Sequence, residues 1–143
     1  MVLTEQRTLP RPAQPCLPQP ATAMPLPAEV DLILSALETG QHGHRERRYV
    51  ARASYRVEAT LRLYSDSPDA DLWTLYTRDV NGRGLGFITR HRLPLGHGGL
   101  LNITLPDGRE CSIACTLLRC REAAPEWFEG SLYFNRQQVD FAV

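Results

Sequence analysis

The chain has 143 residues, 43% of them hydrophobic, and equal numbers of basic and acidic side chains. That length suits one domain with tails rather than two domains. Zero net charge argues against a general nucleic-acid or membrane-surface binder, which carries an overall basic balance, so any anion site must come from local clustering. All the basic side chains other than histidine are arginine, the residue that grips phosphates bidentately and stacks on flat rings.

Residues 1–27 hold Pro10, Pro12, Pro15, Pro18, Pro20, Pro25 and Pro27 and show no periodicity. Such a stretch buries too little apolar surface to offset its ordering entropy, and a disordered or extended tail is expected. Nothing near the start reads as a signal peptide, and no apolar run is long enough to span a bilayer. A cytoplasmic protein with reduced thiols is therefore expected. Cys16, Cys111, Cys115 and Cys120 lack the close pairing that metal sites use.

An amphipathic helix is expected over 28–40. Val30, Ile33, Leu34 and Leu37 follow i, i+3, i+4, i+7 spacing. Glu29 and Asp31 in the first turn complement the helix dipole, and Gly40 can end the helix. So short a helix must rest on something, either the domain itself or another protein.

From Ala53 the period becomes two. Ala53, Tyr55, Val57, Ala59, Leu61 and Leu63 alternate with polar residues, which predicts one long half-buried strand. Further strands are expected over 72–78, 85–89, 101–105, 111–117 and 127–135. The turns are Ser65–Asp69, Asn81-Gly82, a loop over 94–99, and Pro106-Asp107-Gly108. Six strands at regular spacing predict an all-β, six-stranded antiparallel barrel over 41–143, with the fifth-strand cysteines as small core residues. Phe141 and Val143 suggest that the last segment docks.

Two constellations carry chemistry. The first is His44-Arg45-Glu46-Arg47-Arg48-Tyr49-Val50-Ala51-Arg52, where residues four apart in an extended chain project on one side, so Arg48 and Arg52 can converge on one anion. Arg-x-x-x-Arg also occurs at Arg7/Arg11 and Arg52/Arg56, so it is weak alone. The second is Asp79-Val80-Asn81-Gly82-Arg83-Gly84-Leu85-Gly86. A hairpin turn explains Asn81 and Gly82 but does not require Asp79, Gly84 or Gly86. It joins strands and lacks the spacing of a dinucleotide fingerprint.

Together these motifs resemble the PilZ domain signature, Arg-x-x-x-Arg followed by Asp/Asn-x-Ser-x-x-Gly, over roughly residues 45–135. The resemblance implies a cytoplasmic, bacterial cyclic di-GMP receptor without catalysis. Arg48 and Arg52 would take phosphate and base. Asp79 would face a guanine edge or an arginine, and Gly84 would let the ligand approach the backbone. Asn81, Gly82 and Arg83 complete the site, and Arg47 could favour a stacked ligand dimer. Asn81 stands at the usual serine. It keeps a donor and an acceptor but is larger, which leaves a PilZ-fold interaction module without nucleotide as the alternative. A single-stranded nucleic-acid barrel would need more interleaved aromatics than Tyr49 and Tyr55. Arg48 and Arg52 are expected to be exposed and dispensable for folding. Ligand would order residues 41–48 and re-angle the helix, which would pass the signal to a protein partner.

Overall fold

Alternation from Ala53 onward becomes strand, as period two requires. In the computed structural model, which describes residues 16–21, 23–40 and 52–141, the strands are β1 (Ala53–Ser54), β2 (Glu58–Leu63), β3 (Trp73–Asn81), β4 (Gly84–Thr89), β5 (Gly98–Thr104), β6 (Glu110–Ala124) and β7 (Trp127–Phe134). Strands β3-β2-β5-β6-β7-β4 pair in that order, and β3 pairs back onto β4, which closes a six-stranded antiparallel barrel. Closure removes the exposed edges that so small a sheet would otherwise leave. Short β1 lies on β3 beyond the end of β2.

The first long strand is therefore in two pieces. Thr77 fills the gap between them. Its hydroxyl oxygen accepts the Val57 N–H at 2.9 Å, and the hydroxyl donates to the Tyr55 carbonyl. The sixth expected strand matches β7 closely, whereas the fifth runs on well past residue 117. A bulge between Leu117 and Arg119 shifts its parity, so the next core residue is Cys120.

Inward residues of the six barrel strands form one core, including Leu61, Leu75, Phe87, Leu101, Ile113 and Leu132. Cys115 belongs to it, and burial pushes its thiol up to about 11. Beyond β7, Val139–Phe141 makes a 3-10 turn. Its Phe141 docks as the sequence suggested, and Val143 lies outside the described residues. Phe141 is fully buried, with its ring 5.7 Å from Tyr55 and 6.1 Å from Phe134. Tyr55 is itself enclosed, and burial first, then Asp107, raises its hydroxyl pKa.

Helix α1 (Ala28–Gly40) lies on the outside of this barrel. Val30 and Leu34 pack on Ile88 and Trp127, with Ile33 and Leu37 at the margin. Of the two supports that the apolar stripe could have had, the barrel supplies it. Glu29 accepts from the Trp127 Nε1 at 3.0 Å and pairs with Arg90 at 2.9 Å. Arg56 reaches Glu38 at 2.8 Å. Of the stretch expected to be a tail, residues 16–21 and 23–27 are described. The Leu17 N–H bonds to the Ser54 carbonyl, Gln19 exchanges two hydrogen bonds with the Arg56 backbone, and Leu17 and Ala23 touch the core.

The β6–β7 hairpin turns through Pro125-Glu126, where Glu126 has φ of 65°. A left-handed residue with a Cβ is strained there, and glycine is the residue that adopts this conformation freely. Glu126→Gly should stabilise the protein by about 0.5–1 kcal/mol, after allowing for the added freedom of the unfolded chain. Urea unfolding measures it, and an unchanged or lower midpoint would contradict the strain.

Candidate anion-binding face

A bulge makes the site. In β3 the register against β4 shifts between Thr77 and Asp79, so Thr77 opposes Phe87 and Asp79 opposes Gly86. Strict alternation would send Arg78 and Asp79 to opposite faces. The extra residue lets both side chains meet outside the barrel, where Arg78 Nε contacts Asp79 Oδ2 at 3.3 Å.

From this pair a chain of charges runs across the barrel wall. Asp79 Oδ1 pairs with Arg52 Nη1 at 3.4 Å and accepts the Gly86 N–H at 3.2 Å. Arg52 Nη2 donates to Ser131 Oγ at 3.2 Å. Arg78 Nη1 reaches Glu129 Oε2 at 3.3 Å, and Glu129 Oε1 takes Arg121 Nε at 2.6 Å. The order is Arg52–Asp79–Arg78–Glu129–Arg121, three guanidinium groups against two carboxylates. Arg119 adds a fourth cation on this face, since its register partner is Ser131. Asp79 and Glu129 are nearly buried, and charges removed from water persist only when paired and hydrogen-bonded.

The chain passes over β4 at Gly86. A Cβ there would lie 2.7 Å from Asp79 Oδ1 and 3.3 Å from Arg78 Nη2. Gly84 has a different reason. Its Cβ would fall 2.2 Å from the Leu132 carbonyl oxygen, so close contact with β7 demands glycine, and approach of a ligand is not needed to explain it. Asn81 closes its own turn, its Oδ1 accepting from the Arg83 N–H at 2.8 Å and the Gly84 N–H at 3.1 Å. The Gly82 and Arg83 carbonyls accept from the Gln138 and Phe134 N–H groups, which ties the hairpin to the C-terminal segment.

The structure places Arg52 against Asp79 beside Gly86, and Asn81, Gly82, Arg83 and Gly84 in the adjoining turn between β3 and β4. Asp79 faces arginines. Arg47 and Arg48 lie outside the described residues. Arg52 departs from expectation. Its side chain is only 9% exposed, because Asp79 and Ser131 hold it against the barrel. Sequence reading also missed Arg78, Arg119, Arg121, Glu129 and Ser131. The signal for Arg78 was a break in parity, since core positions Leu75 and Thr77 are followed by Val80. Nothing local points to Glu129.

Removing Arg52 takes away one partner of a buried carboxylate that keeps Arg78 and a backbone N–H. Arg52→Ala should therefore destabilise the fold by about 1–3 kcal/mol. Chemical denaturation checks this, and a change below about 0.5 kcal/mol, the usual size for exposed surface positions, would mean that the side chain is not held as described.

No protein-family model matches the chain, and no curated protein is similar to it in sequence. Its structure is similar to that of the inhibitor of motility from Bacillus subtilis (MotI/DgrA), a PilZ-domain protein, with a TM-score of 0.51 and 15% identity. The match covers 66% of this chain and 46% of that one, so the chain spans about half the length of its structural neighbour. Likeness at that identity speaks to fold. The closed six-stranded antiparallel barrel, with a helix before it, has the PilZ-type fold.

Proposed function

We propose that this chain is a cyclic di-GMP receptor module. One observation carries the reading. Arg52, from the segment before the barrel, converges with Asp79 and Gly86 of the second motif on an outer face where guanidinium groups outnumber carboxylates. A phosphodiester supplies the missing negative charge through charge-assisted, bidentate contacts, and guanidinium planes stack on purines. Arg48 is four residues before Arg52, within about 14 Å even when fully extended, so it can close over a ligand resting on this face, with Arg47 beside it. The chemistry asked of the protein is recognition alone.

Signalling follows from how the connector is placed. Residues 41–51 join the end of α1 to Arg52. Ligand held by Arg47 and Arg48 pulls on that connector. The helix is fixed to the barrel by an apolar contact, by the Trp127–Glu29 hydrogen bond and by the partly exposed pairs Glu29–Arg90 and Glu38–Arg56, which are individually weak. Its displacement is what a protein partner reads.

A second reading has its own support. Asn81 already serves its turn and Asp79 already serves two arginines, as expected of a PilZ-fold interaction module that binds no nucleotide. Titration calorimetry with cyclic di-GMP at micromolar protein separates the two. Saturable heat is expected, and its absence would overturn the receptor reading. Hydrogen exchange then tests the signal, where added protection across residues 41–52 is expected and unchanged protection there would remove the switch.

A further inference from the structure

Arg121 lies outside both motifs, yet it is the most exposed cation in the charge chain, at 63%. Its Nε donates to Glu129 Oε1 at 2.6 Å. Among the described residues its two terminal nitrogens make no hydrogen bond. Glu129 is 5% exposed and is itself fixed from the other side by Arg78 Nη1 at 3.3 Å. The buried carboxylate thus orients the guanidinium from behind and leaves its outer edge facing solvent.

We propose that Arg121 is a second, pre-oriented phosphate-binding arginine of this face and that Glu129 is its positioning residue. The proposal rests on the cyclic di-GMP reading and adds to it a contact from the opposite side of the site. A guanidinium held through Nε keeps its other N–H groups as donors in one plane, the arrangement that phosphate oxygens match. Holding it beforehand removes much of the rotamer entropy that binding would otherwise cost. The position suits a ligand with two phosphates. Arg52 ends at Ser131, Arg121 ends at Glu129, and those two residues of β7 are two apart, about 7 Å along the strand. Arg119, opposite Ser131, stands at the Arg52 end of this span in the register.

Titration of the full chain with cyclic di-GMP tests this, alongside thermal melts. Arg121→Ala should bind about tenfold more weakly or worse, the scale of one lost charge-assisted contact. Its affinity should also depend less on salt than the parent's. Its melting temperature should fall as well, because Glu129 loses its shorter contact and keeps Arg78, so affinity is compared well below the midpoint. Arg121→Lys should stay at least about fivefold weaker than the parent, since one ammonium cannot hold Glu129 and offer a planar fork to phosphate together. Glu129→Gln, which loosens the orientation, should weaken binding while leaving the charge of Arg121 in place. Parental affinity in Arg121→Ala, or full rescue by lysine, would overturn the assignment while the receptor reading stands. No heat with the parent would overturn both.

Discussion

The ion-pair chain that crosses β4 at Gly86 is the constraint on which the rest of this face depends. It links residues from β3, β6, β7 and the segment before β1, so four parts of the sequence meet in one set of contacts. Two nearly buried carboxylates sit within it, and neither can lose its partners without leaving a desolvated charge. The crossing works only because β4 has no side chain at that point. A barrel strand usually offers alternate residues to the outside, and here the outward position is left vacant for its neighbours' charges.

Bulges put the charges where they are. The shift in β3 turns Arg78 outward beside Asp79, and the shift in β6 brings Arg119 opposite Ser131 with Arg121 opposite Glu129. Each adds one residue to a strand and re-aims everything after it. The closed barrel tolerates this because its core is filled from six strands, and the docked Phe141 adds to it.

Much of this was legible in the sequence. Period two, spaced turns and the i, i+3, i+4, i+7 stripe are local consequences of backbone geometry, and they led to six strands and the helix. Asp79, Asn81 and Gly84 were recognisable as a group because they follow one another in the chain. What escaped has a common cause. Glu129 and Ser131 read as ordinary polar positions of an alternating strand, and only barrel closure sets them beside Arg78 and Arg52, 51 and 79 positions earlier. The burial of Arg52 escaped for the same reason, since an arginine reads as exposed until the carboxylate that holds it is known. Gly84 has a structural reason that the sequence does not show, because a glycine required by a neighbouring strand and one required by a ligand look alike in a sequence.

In the proposed receptor, stability and recognition share residues on this face. An arginine already held by Asp79 and Ser131 has few rotamers left to lose, so the barrel side of the site is rigid before a ligand arrives. In the proposed receptor, the response to ligand would then fall to the segment between α1 and Arg52. Such a division also explains why Arg52 is a poor residue for measuring affinity alone, since its loss disturbs the fold. Arg121, at the other end of the same chain, is far more exposed, so in the proposed receptor more of its loss would fall on the ligand and less on the barrel.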